Sequence, residues 1–221
     1  MSQFLRADSP LVQKLHLLGE LIVLSLMFLL CCLPVFTVGA AVSALYDSVW
    51  HIKNSSGQPI RGYWGSFRSN FRKATLLWLP VLITGLLLGY GAILVSVNAQ
   101  TGISQLKLPL ILGFSFWVMT ASWLFPLQSR FENSLKQTLI NAILCALRFL
   151  PRTLLLGVIN LLPWFLLWFS TRFFLWFGTL WVLVWPGLAA YWNISILDEP
   201  FRQLIELLES PGEHPDSILE E

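Results

Sequence analysis

The 221-residue chain is 56% hydrophobic and only 12% charged, against roughly 25% charged in an ordinary soluble domain, and its mean hydropathy is +0.68. A soluble fold of this size buries about 70 to 75% of the surface its unfolded chain exposes, too little to hide apolar runs such as 154–169 and 173–190, so the composition excludes a soluble domain and implies an integral membrane protein. The net charge of +2 conceals an asymmetry: 198–221 sets eight acids against Arg202 alone, a net −7, which leaves +9 on the first 197 residues.

The first 16 residues carry Arg6, Asp8 and Lys14 and no apolar stretch, so the Met1 end is not expected to open a cleaved signal peptide. Five apolar runs then meet the roughly 20-residue length of a helical span: 17–33, 76–97, 108–127, 153–170 and 173–197. A sixth run, 35–50, follows Pro34 and reaches only about 24 Å at 1.5 Å per residue, short of the roughly 30 Å bilayer core. Pro34 therefore either kinks one long helix, giving five spans, or makes a tight turn between two, giving six. Lysine and arginine arbitrate, because cytoplasmic loops collect them. With six spans, both termini and the stretches 51–75 and 128–152 share one side and hold 12 of the 14 basic residues; with five the split falls to 10 against 4. The predicted fold is thus all-α, a polytopic helical membrane protein of about six spans, five being the alternative, with both termini cytoplasmic. It comprises one helical membrane domain, 1–197, and an acidic, mobile cytoplasmic tail, 198–221.

Two cytoplasmic stretches project as basic amphipathic interfacial helices. In 60–74, Tyr63, Trp64, Phe67, Phe71 and Ala74 fill an arc of about 100°, with Arg61, Arg68 and Arg72 beside it and Lys73 adjacent in sequence. Asn70 falls on the edge of that arc, where a polar side chain needs a partner. In 129–148, Arg130, Ser134, Gln137, Asn141 and Arg148 form one polar stripe, with Phe131, Leu135, Leu139, Ala142 and Ala146 along another face. Both stretches are followed by a Leu-Pro, at 79–80 and 150–151, an order that would also fit a duplicated half, although residue identity between the halves is poor. Trp164, Trp168, Trp176 and Trp181 gather around the turn near 171, and Trp50, Trp64 and Trp192 near the inner boundaries, as interfacial belts do.

Ionisable groups inside a membrane cost at least about 2.5 to 3.5 kcal/mol near a helix centre, which singles out Glu20 and Asp47. Either Glu20 faces interfacial water and Asp47 pairs with a nearby arginine, or the two face each other, or Arg68 and Arg130, across an inward-facing cavity. Asn160 and Asn193 are expected as hydrogen-bond partners between spans more than as substrate ligands. The arginine clusters are read first as anchors to anionic head groups, each worth about 1 kcal/mol near the surface, then as a docking face for a protein, and last as a site for an acidic solute. Cys31, Cys32 and Cys145 sit in apolar helical runs with no metal-ligand or disulfide spacing, and are expected as small core residues. His16, His51 and His214 are scattered, and neither a nucleophile motif nor a phosphate-cradling loop is present, so no enzyme, metal, cofactor or nucleic-acid partner is expected.

The run Leu33-Pro34-Val35-Phe36-Thr37-Val38-Gly39-Ala40 with Ala44-Leu45-Tyr46, then Trp64, Phe67, Asn70 and Phe71, then Pro126-Leu127, Arg130-Phe131, Asn133 and Asn141-Ala142, resembles the YesL-like family of bacterial membrane proteins, a domain of unknown function. Where that family leads one to expect an asparagine in the first span, this chain has Ser25. The resemblance implies a bacterial inner-membrane protein that accompanies carbohydrate uptake, with an ABC permease or a cytoplasmic regulator as partner, and it brings no catalytic residues to carry over. The function expected is accordingly that of an accessory or regulatory component; the alternative is a small-solute transporter or channel whose path Glu20, Asp47, Asn160 and Asn193 would line.

Overall fold

The structure, a computed structural model, describes residues 10–54, 58–98, 105–169 and 171–209; of these, the side chains of 10, 164, 168–169, 171–177, 179–180 and 207–209 are not described. All its regular elements are helical: α1 (Pro10–Cys31), a 3-10 turn (Val35–Thr37), α2 (Val38–Lys53), α3 (Pro59–Val97), α4 (Lys107–Arg130), α5 (Leu135–Arg148), α6 (Leu150–Phe169) and α7 (Thr171–Glu209). Among the described residues five segments are long and apolar enough to cross a membrane: Leu11–Cys31, Val35–Lys53, Pro59–Val97, Lys107–Arg130 and Leu150–Leu167. The remaining expected run, 173–197, lies within α7, partly on side chains that are not described.

The chain folds back at Pro34. The backbone of α1 closes with Cys32 N–H donating to Phe28 O at 2.9 Å, and the 3-10 turn with Thr37 N–H donating to Pro34 O at 3.0 Å. The Thr37 hydroxyl, buried in the corner, faces the carbonyls of Cys31 and Pro34, the latter at 2.6 Å, and so answers a helix-end acceptor that has no intrahelical donor. Phe28 and Leu29 border the same cavity as Val42, Leu45 and Tyr46. On one kinked helix Phe28 and Tyr46 would stand about 27 Å apart, so α1 and α2 pack side by side and Pro34 is a turn.

Small residues set the packing around α2, whose Gly39, Ala40, Ala41, Ser43 and Ala44 are all buried. A Cβ on Gly39 would lie 2.5 Å from Ala74 O and 2.6 Å from Trp78 Cβ, so α2 and α3 meet backbone to backbone. Beneath, Trp123, Leu124, Leu127, Leu156, Leu197 and Phe201 carry the core towards the ends of α4 and α7.

Two expectations about the amphipathic stretches are corrected. The stretch 60–74 and the span 76–97 are one uninterrupted 39-residue helix, α3, with Pro80 inside it. Its length of about 58 Å is nearly twice a roughly 30 Å bilayer core. Proline withholds one donor, and nearby Thr84 Oγ1 donates to Pro80 O at 2.7 Å or Val81 O at 3.1 Å, but the helix runs on. The stretch 129–148 is instead divided. Arg130 closes α4, Phe131 is extended, and α5 begins at Leu135 behind a capping box in which Ser134 and Gln137 bond reciprocally, the arrangement that satisfies two orphan donors at a helix start. Arg130 and Ser134 are therefore not on the stripe of α5. The boundary drawn at 197/198 also falls inside an element, since α7 continues to Glu209 with Phe201 2% exposed in the core; 210–221 lies outside the described residues.

Candidate functional site

Glu20 and Asp47 are each matched by a histidine one turn away on their own helix: His16 Nδ1 lies 3.7 Å from Glu20 Oε1, and His51 Nδ1 lies 3.7 Å from Asp47 Oδ1. Among the described residues no ion pair joins them to each other or to Arg68 or Arg130. Asp47 and Arg130 do border one small cleft with Tyr46, Trp50 and Phe201, but the Arg130 guanidinium is 4.1 Å from the centre of the Trp50 ring, a cation–π arrangement.

A charged cluster that the sequence analysis did not single out stands next to it. Lys53 Nζ is 3.1 Å from Asp198 Oδ2, and Arg202 Nη2 is 3.5 Å from the same oxygen. These groups tie the end of α2 to α7 beside Phe201, whose ring contacts Trp50, Trp123 and Phe131 edge-on or tilted at 5.7 to 6.4 Å. The signal was present: Ile194, Leu197, Phe201 and Leu204 keep a helical apolar period across residue 198, and Asp198 and Arg202 are one turn apart.

On α3, Arg61, Arg68, Arg72 and Lys73 are all exposed, and none forms an ion pair among the described residues. The apolar arc beside them is only partly covered. Tyr63 and Ala74 are buried and Phe67 and Phe71 half-buried, Phe67 lying stacked on Tyr63, tilted to Trp64 and edge-on to Phe71 with ring centres 5.6 to 6.5 Å apart, whereas Trp64 is 60% exposed. Asn70 finds its partner locally, its Nδ2 donating to Ser66 Oγ at 3.3 Å. Arg148, exposed at the end of α5, lies over Phe149 at 5.7 Å and borders a second cavity, of about 290 Å³, with Asn133, Asn141 and Cys145.

Asn160 and Asn193 come together as interhelical partners. Asn193 Nδ2 donates to Tyr46 Oη at 2.8 Å and to Asn160 Oδ1 at 2.9 Å; Asn160 Nδ2 donates to Ser122 Oγ at 3.3 Å, and Ser122 donates to Val118 O at 2.8 Å. One chain of hydrogen bonds thus crosses α2, α7, α6 and α4. Tyr46 and Ser122 were the members not anticipated. Above this chain lies a cavity of about 460 Å³, walled by Phe28, Val42, Leu45, Pro163, Trp181 and Trp185 among others. Among the described residues no three His, Cys, Asp or Glu side chains gather as they would around a metal ion.

Among the described residues, fold and site define an all-helical protein with five candidate membrane-spanning helices, one cross-bundle chain of hydrogen bonds and one charged cluster between α2 and α7. A family described as "Protein of unknown function, DUF624" matches residues 21–92, about a third of the chain, from the middle of α1 to within a few residues of the end of α3. No curated protein and no solved structure matches the chain.

Proposed function

We propose that this chain is a six-span protein of the bacterial inner membrane, with both ends in the cytoplasm, that serves as a non-catalytic accessory or regulatory component beside carbohydrate uptake. The observation that carries the proposal is the state of the charged groups. Arg61, Arg68, Arg72 and Lys73 are exposed on the length of α3 that exceeds a bilayer core, free to meet anionic head groups or the acidic surface of a partner. Glu20 and Asp47, by contrast, each lie 3.7 Å from a histidine on their own helix, and Asn160 and Asn193 bond across the bundle to each other, to Ser122 and to Tyr46, which supports separate roles for the four over one shared solute path. The carbohydrate setting, and an ABC permease or cytoplasmic regulator as partner, rest on the resemblance to the YesL-like family. At native expression in mild detergent, the wild-type chain is expected to co-purify with a permease, kinase or regulator, and the triple variant R61E/R68E/R72E to lose it. A wild-type chain that isolates alone would overturn the proposal.

A transporter or channel is the second reading, favoured by the 460 Å³ cavity above Asn160 and Asn193. Its walls offer a sugar few of the hydrogen bonds that burying hydroxyls requires. Uptake by proteoliposomes across a sugar panel separates the two.

A further inference from the structure

The cavity between α1, α2, α6 and α7 has a donor and an acceptor left over. Asn193 is 1% exposed, its Nδ2 serves both Tyr46 and Asn160, and its Oδ1, fully buried, has no partner. Turning the amide over would not remove the problem, since Nδ2 would then occupy the unpartnered place. Trp181, on the same cavity wall, has a buried indole N–H with no acceptor among the described residues. Native interiors leave few such groups unanswered, and two that border one cavity mark a place where something else supplies the bonds.

The rest of the lining states what that something is. Among the described residues it contains Leu, Val, Ala, Phe, Trp and Pro but no Asp, Glu, Lys, Arg or His, so a charged head group would be stripped of water with none of these groups to compensate it. Trp181 and Trp185 stack with ring centres 4.3 Å apart and give an apolar body a flat wall. A 150 Å³ apolar cavity stays dry and accepts benzene, so by volume about 460 Å³ accommodates on the order of 18 non-hydrogen atoms. Water alone would find too few polar partners across most of this space.

We infer that this cavity is a binding site for a small neutral lipid alcohol, an apolar chain whose terminal hydroxyl donates to Asn193 Oδ1 and can accept from Trp181 Nε1. The site is independent of any cytoplasmic partner, and failure of one idea leaves the other standing.

The probe is farnesol, titrated into the purified full chain in lipid nanodiscs, with binding followed by melting temperature and by native mass spectrometry. The saturated hydrocarbon of the same skeleton and farnesyl phosphate are the comparison ligands. Farnesol is expected to bind saturably, with both comparison ligands about tenfold or more weaker, the ratio a buried hydrogen bond supports. Asn193→Leu is expected to equalise alcohol and hydrocarbon, and Ala189→Leu, which fills the cavity from α7, to abolish binding of both. Where Asn193→Leu fails to fold, the alcohol-to-hydrocarbon ratio in the wild type and the Ala189→Leu arm still decide. Equal binding of alcohol and hydrocarbon by the wild type, no saturable binding, tighter binding of the phosphate, or undiminished binding by Ala189→Leu overturns the inference.

Discussion

The hydroxyl of Ser25 on α1 receives the backbone N–H of Gly187 on α7 at 2.8 Å and gives its own hydrogen to Leu21 O, also at 2.8 Å. The helices are close enough here that a Cβ on Gly187 would stand 2.5 Å from Leu21 O and 2.8 Å from Ser25 Oγ. Pro186, immediately before, has no N–H to give the preceding turn, although α7 runs on through it. One serine therefore answers a backbone donor beside a proline, and a missing side chain makes the approach possible.

This contact makes Gly187→Ala more damaging than its single methyl group suggests. The atom it would strike is backbone, which cannot rotate away, so stability is expected to fall by about 3 kcal/mol, the upper end of ordinary overpacking. Ser25→Ala leaves one buried N–H unanswered and is expected to cost about 1 to 3 kcal/mol. Melting in detergent checks both; a Gly187→Ala chain as stable as wild type removes the close crossing.

At the other end of α7, Lys53 and Asp198 are each about a quarter exposed, between the nearly worthless surface pair and the costly buried one. Their coupling is expected at about 1 kcal/mol. A double-mutant cycle with Lys53→Ala and Asp198→Ala reads it from the departure from additivity. Strictly additive losses would mean that the two side chains merely sit near each other.

Cys145 offers a test by pH. Burial pushes its thiol up to about 11, against the downward pull of the Arg148 charge. Because the thiolate is the reactive form, alkylation by iodoacetamide in a Cys31→Ser, Cys32→Ser background is expected to be slow at neutral pH and to keep rising towards pH 11. An open cysteine would level off soon after its ordinary value of about 8.5. Arg148→Ala removes the stabilising charge, so the whole profile is expected to move to higher pH. A plateau near pH 9 in the parent chain would contradict the buried site.

What could be read from the residues was whatever depends on local hydropathy and on single strong breakers. Pro34 marked the fold-back because a proline between two apolar runs withdraws a donor where the chain has other reasons to stop. Pro80 looked alike in sequence yet sits inside α3, since the turns on both sides keep their helical period and the neighbouring Thr84 bonds to its carbonyl. Asn160 and Asn193 could be named as partners but not matched to Tyr46 and Ser122, because those contacts span 33 to 147 positions and no local pattern encodes them. Asp198 was assigned to the tail by its charge, although the apolar period running through Phe201 outweighs composition there.

The number of crossings follows from parity and can be measured directly. If α1 and α2 turn back at Pro34 within the membrane, the chain before α1 and the loop before α3 lie on one side, and the 105–107 turn before α4 on the other. Single cysteines at Ser2, Ser56, Gln105 and Ser217, in a chain lacking its three native ones, are expected to divide accordingly. An impermeant maleimide should reach only position 105 in intact cells, and positions 2, 56 and 217 in inverted vesicles. Position 217 depends on α6 and α7 both crossing, so labelling it from outside while 2 and 56 stay inside would mean that one of them does not. Labelling of position 2 from outside would return the protein to five spans, and would place the 53–73 basic stretch and the N-terminus on opposite faces, against the charge asymmetry that lysine and arginine impose.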